Sequence, residues 1–159
     1  MHIRRDRDGG VWVVGMPAFV ADTLRQLPEW IASADPAVRE RLLPPAYKDE
    51  RAEREWERLA HPGLEHLFKS RGEILRQDLA SLKQGVLGAM LRIPEPHLSA
   101  WLSALNAGRH ALFILHEVDP GDLGRDLQAV DDLAHAEALL RMEVLGWVQQ
   151  LLIDGGGGE

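Results

Sequence analysis

The stretch WLSALNAGRHALFILHEV, Trp101 to Val118, has the apolar spacing of a helix that faces a core, yet an arginine sits among its leucines. The same conflict recurs along the chain and constrains the fold more than any other feature. Turned by about 100° per residue, a helix over Pro94 to Val118 sets Leu98, Leu102, Leu105, Leu112 and Phe113 on one side, with Arg109 in their midst. A helix from Pro62 to about Leu91 lines up Leu64, Leu67, Phe68, Leu75, Leu79, Leu82 and Val86, with Arg71 and Asp78 pointing the same way. A further helix, from about Asp126 to Ile153, carries Glu137 and Arg141 between Leu133, Leu140, Val144 and Val148.

Burying an unpaired charge is costly, so these groups must reach water or one another. Arg71, Arg109 and Arg141 against Asp78 and Glu137 leave one positive charge over. Two arrangements answer that imbalance. In one, a salt-bridge network fixes the register of the helices and some members snorkel to the edge. In the other, an interhelical pocket uses the spare arginine to hold an anionic group, because a guanidinium matches carboxylate or phosphate through paired hydrogen bonds. Asn106, beside Arg109, then serves as an orienting amide.

The rest of the chain reads as follows. Two short β-prone runs flank Asp8-Gly9-Gly10, residue types suited to a tight hairpin turn, so a small N-terminal hairpin is expected. Pro17 opens a helix with Val20, Leu24, Leu27, Ile31 and Ala34 on its buried stripe and Asp22, Arg25, Gln26 and Glu29 on its wet side. Prolines 28, 36, 44 and 45 confine the next helix to a short piece, with Asp35 and Pro36 as N-cap and first residue. A charged helix from Asp49 to Ala60 has little inward surface beyond Ala52, Trp56 and Leu59. The terminal DGGGGE stops the last helix and continues as a flexible tail.

A chain of 159 residues suits one domain with a real core, here taken as residues 1–153 followed by the tail 154–159. Apolar residues make up 45% and there are five tryptophans, a composition that folds. The net charge is −7 and no segment clusters Lys and Arg without acids beside them, which argues against nucleic acid as a partner. No stretch has the length and apolarity of a membrane span and none reads as a signal peptide, so no membrane association and a cytoplasmic location are expected. With no cysteine there are no disulfides, thiolate metal sites or cysteine nucleophiles.

Catalytic motifs are missing: no G-x-S-x-G, no phosphate-binding loop, no dinucleotide glycine pattern, no HExxH. His110, His116 and His135 are the only basis for a metal-dependent enzyme, but His110 and His116 lie about 120° apart around their helix, so neither a metal site nor a cofactor is expected. No catalytic residue is assigned.

The order of segments LLPPAYKD, EREWERLAHPGLEHLFKSRGEIL, AWLSALNAGRHAL and LGWVQQLL resembles a small bacterial helical family catalogued only as a domain of unknown function. The likeness covers roughly residues 40 to 152 and is most specific at Trp101, Leu102, Leu105, Asn106 and Arg109, and at Leu145 to Trp147. Genes of that family commonly lie beside the gene of the adaptor for the Clp ATP-dependent protease and near genes of sulfur-carrier-dependent cysteine synthesis. The resemblance therefore implies a part in proteostasis or sulfur metabolism without defining an activity.

Together these readings predict a mainly α, single-domain bundle of five to six helices with a small N-terminal β-hairpin. Its function is expected to be that of a non-catalytic, adaptor-like protein with a protein partner, and a homodimer stays open. The alternative is a binding protein for a small anionic metabolite, with Arg109 and Arg71 or Arg141 as the clamp.

Overall fold

The computed structural model describes residues 1–123, 130 and 132–155. The chain begins with the expected hairpin, β1 (His2–Arg5) and β2 (Val11–Met16), paired antiparallel. Its turn is organised by Asp6, whose Oδ1 accepts from the backbone N–H of Asp8 and of Gly10. Helix α1 (Ala18–Ile31) follows, then α2 (Pro36–Leu42), α3 (Glu50–Leu59) and α4 (His61–Ala80). Asp35 and Asp49 cap α2 and α3 by accepting from Ala37 and Val38, and from Arg51 and Ala52. Such caps are worth about 1 kcal/mol each and explain why these short helices start where they do.

The long helix predicted to run to Leu91 stops at Ala80. In its place a second hairpin forms, β3 (Lys83–Gly85) and β4 (Gly88–Ile93), so that Val86 lies fully exposed at the tip and not on a buried stripe. Gly88 makes this possible: its φ is +109°, and a Cβ there would lie 2.6 Å from the Met16 carbonyl oxygen. The strand β4 joins β2, giving one antiparallel sheet in the order β1-β2-β4-β3. The molecule is mainly helical, as expected, with six α-helices among the described residues, but a four-stranded sheet takes the place of part of the predicted bundle.

Helix α5 (Leu98–Leu115), entered through a 3₁₀ turn at Glu95–His97, is the central helix. It packs against α1, α2, α4 and α6. A second 3₁₀ turn, Pro120–Asp122, precedes α6 (Leu133–Asp154), which Asp132 caps at the Ala134 N–H. The predicted start of this last helix near Asp126 and most of the glycine tail lie outside the described residues.

The core is one cluster to which β2, β4, α1, α5 and α6 all contribute. Val11, Val13, Met16, Ala89, Leu91 and Ile93 face it from the sheet and are wholly buried. Their alternation with half-exposed neighbours is the period of two that a half-covered sheet requires. On α5 the buried side is Trp101, Ala104, Leu105, Ala107, Gly108, Ala111 and Leu112, whereas Leu98, Leu102 and Phe113 are only partly covered. The helix is therefore turned from the orientation its leucines suggest, because its small residues admit neighbouring helices. A Cβ on Gly108 would stand 2.2 Å from Leu27 Cδ1. Helix α3 is the opposite case, with no buried residue at all. No helix among the described residues is long and apolar enough to cross a membrane.

Candidate functional site

The charged residues predicted on apolar stripes do not form one network. Arg141 is buried between α1 and α6 and every part of its guanidinium is engaged. Nη2 donates to Asp22 Oδ2 and Glu137 Oε1, each at 2.8 Å, Nε donates to Glu137 Oε1 at 2.9 Å, and Nη1 donates to Thr23 Oγ1 at 3.0 Å. Its carbon centre lies over the rings of Phe19 at 4.8 Å and Trp30 at 5.8 Å. Burial opposes the charge, but the hydrogen bonds that Arg141 donates to Asp22 and Glu137 outweigh it and hold the guanidinium above its ordinary pKa. Asp22, assigned to the wet side of α1, supplies the negative charge that the sequence count lacked.

Asp78 forms a second, separate node. Buried at the end of α4, it accepts from the indole N–H of Trp101 at 2.8 Å, and its Oδ1 lies 2.9 Å from His97 Nδ1. Arg71, expected beside it, lies instead over the Phe68 ring at 5.6 Å and forms no ion pair with Asp78. These contacts are separate closures, made by residues of the same helix, Glu137 and Phe68, and by residues that arrive through the fold, Asp22, Thr23, His97 and Trp101.

Arg109 is the exception. It is exposed, and so is Asn106, so the expectation that Arg109 lies in the core is corrected: the rotation of α5 carries it to the margin. It rests on α6 where Gly146 leaves room, since a Cβ there would be 3.5 Å from the Arg109 guanidinium carbon. Asn106, Arg109, His110 and Phe113 stand at i, i+3, i+4 and i+7 and so share one face of α5. Facing them are Arg41 from α2, Met142 from α6, and Pro120 and Leu123 after α5, which together enclose a cleft of about 310 Å³.

The electrostatics of this cleft are one-sided. Among the described residues no carboxylate lines it, and neither Arg41 nor Arg109 has an acidic partner there. His110 is pushed below its ordinary pKa of 6.5, first by burial and then by the positive charges of Arg41 and Arg109. The imidazole is therefore neutral at pH 7, one ring nitrogen donating and the other accepting. Two fixed cations, an amide and a neutral imidazole converge beside the apolar Phe113 and Met142. The arrangement can bind an anionic group that carries an apolar part. Among its described lining residues no nucleophile is placed against a base.

Of the predicted site residues, Asn106 and Arg109 come together here, Glu137 and Arg141 pair elsewhere, and Arg71 and Asp78 stand apart. Arg41 was not legible as a partner, because it comes from a short helix more than sixty positions away with no pattern linking it to α5. His110 was noted only for metal. His110, His116 and His135 are not gathered: His135 faces Asp122 at 3.1 Å. Among the described residues no three His, Cys, Asp or Glu side chains could share a metal ion.

The fold thus defines a mainly helical protein built on a small antiparallel sheet, with a cleft on one flank that two arginines face. The family model described as Domain of unknown function (DUF2017) matches residues 2–155, and the chain belongs to that family. Searches of the curated proteins and of the solved structures each found no match.

Proposed function

We propose that the protein is a non-catalytic binding protein whose α2–α5–α6 cleft takes a small molecule bearing a carboxylate or phosphate on a compact apolar body. The observation that carries this reading is the pair Arg41 and Arg109, two cations facing one cleft whose described lining residues include no carboxylate. A guanidinium binds such oxyanions in paired, charge-assisted hydrogen bonds. Phe113, Met142 and Leu123 give the ligand an apolar wall, and a volume near 310 Å³ matches a metabolite of modest size. On this reading the protein acts in the cytoplasm.

The test is a thermal melt of the wild type and of Arg109→Met against phosphate, sulfate and a panel of acidic metabolites. Methionine keeps the volume and deletes the charge. A ligand at a hundredfold excess over its dissociation constant adds about 2.7 kcal/mol of stability, and the variant should lose that gain. If no anion stabilises the wild type, the reading is wrong.

One observation favours the adaptor-like reading as a second. Helix α3 buries no residue, and Tyr47 and Leu59, 53% and 63% exposed, flank Trp56 in an apolar shelf at its side. Tyr47 and Trp56 meet edge to face with centroids 6.2 Å apart. Such surface suits a protein partner, in line with the link to proteolysis that the family resemblance implies. An adaptor of this kind is indifferent to the anion panel and loses partner capture on Trp56→Ala.

A further inference from the structure

The sheet has a second face, and the fold makes no use of it. All the fully buried strand residues point to the helices, and the residues between them point away. Strand register arranges those outward residues in two rows across the sheet. One runs Arg4, Trp12, Arg92; the other runs His2, Val14, Met90, Lys83. An antiparallel sheet with one wet face normally puts polar residues there. Here Trp12, Val14 and Met90 sit on the wet side, half-covered, in a hollow of about 370 Å³ that Arg4, Arg5, Arg7 and the Arg92-paired Asp6 also line.

We infer that this open face binds single-stranded nucleic acid, with a base stacked on Trp12 and the flanking phosphates on Arg4 and Arg92. The charge is of the right sign and in the right place. The chain as a whole is negative, yet Arg4, Arg7 and Lys83 have no carboxylate partner among the described residues. Arg92 is held in place by Asp6, with Nη2 2.7 Å from Oδ2, and Asp8 lies 3.8 Å off. The Arg92 hydrogen bond, foremost among several influences, keeps the Asp6 carboxyl below its ordinary pKa, so this orienting contact persists into mild acid. Directly opposed residues on adjacent strands stand about 5 Å apart, so one aromatic ring has a cation on either side.

That alternation is what separates a nucleic-acid strand from an acidic peptide. Cations alone suit either partner, but an aromatic surface between cations matches the base-and-phosphate repeat of an unpaired strand. A duplex offers no free base face. The sequence count of Lys and Arg could not anticipate this, because Arg4 and Arg92 come to either side of Trp12 only through strand pairing.

The experiment is fluorescence anisotropy of a labelled mixed-sequence strand of about a dozen nucleotides, as DNA and as RNA, titrated with the full chain at about 50 mM and about 200 mM salt. Saturable binding at the lower salt, weakened at the higher, is expected, and an excess of unlabelled duplex should compete poorly. Trp12→Ala should weaken binding about tenfold or more, and Arg4→Gln should weaken it and flatten the salt dependence. Removing a cation elsewhere, with Lys69→Gln, should change it little. Both test residues lie on the wet face, and Arg4→Gln carries the test if Trp12→Ala does not fold. The inference is overturned by no binding at low salt, by duplex or an acidic peptide of equal charge competing as well as the strand, or by binding that both variants leave intact.

Discussion

Two arginines on neighbouring helices have opposite fates. Arg141 on α6 is buried and satisfied on every side by Asp22, Glu137, Thr23 and two aromatic rings. Arg109 on α5 is exposed in a cleft with no carboxylate among its described lining residues, and rests against Gly146. Both look alike in the sequence, as a guanidinium among leucines. The difference teaches that the partners decide the role. Where α1 adds Asp22 to the helix's own Glu137 the cation becomes architecture, and where α2 brings a second cation the pair is left to an outside anion.

The largest effect should come from Arg141→Met. Removing one member of a fully buried ion pair costs about 3–5 kcal/mol. Asp22 and Glu137 are about half exposed and regain water, so about 2–3 kcal/mol is expected from urea unfolding. Asp22→Asn keeps the hydrogen-bonding shape and deletes one charge, and should cost about 1 kcal/mol in the same assay. An equal loss from both variants would mean that Asp22 alone holds the arginine and the comparison is too simple.

Arg109→Met should be nearly silent without ligand, within about 0.5 kcal/mol of wild type. A loss of a few kcal/mol there would break the contrast and return Arg109 to the core architecture. The smallest effect concerns His110. Its folded pKa lies below the 6.5 of the unfolded chain, so the unfolded state takes up its proton first as pH falls. This contribution to stability is present above pH 6.5 and is lost as pH drops through the folded pKa. Arg41→Met removes one of the repelling charges and should raise the His110 pKa in an NMR titration, while a bound anion should raise it further. A His110 titration unmoved by Arg41→Met would detach α2 from the cleft.

Local signals in the chain were legible where the chemistry is local. The Asp8-Gly9-Gly10 turn, the helix entry at Pro17 and the Asp35-Pro36 cap are found where the residue types demand them, and the charged helix starts beside Asp49 as expected. The β3–β4 hairpin was not. Leu82, Val86 and Met90 continue a helical spacing by chance, and β4 carries apolar residues on both faces, Met90 outward and Leu91 inward, which hides the period of two. The phase of α5 was misjudged because Ala104, Ala107, Gly108 and Ala111 contribute little hydrophobicity, although they mark where neighbouring helices come closest.

By itself, then, the sequence determined a mainly helical chain, its caps and first turn, and the fact that charge must be reconciled with apolar helix faces. It also paired Asn106 with Arg109 on one helix. Only the tertiary structure decided which charges were reconciled and with whom. Asp22 meets Arg141, Trp101 meets Asp78, Arg41 meets Arg109, and Arg4 flanks Trp12 opposite Arg92 across the sheet. The physical reason is range: capping and periodicity act within a few residues, whereas an ion pair or a cleft depends on the separation between segments that no local spacing encodes.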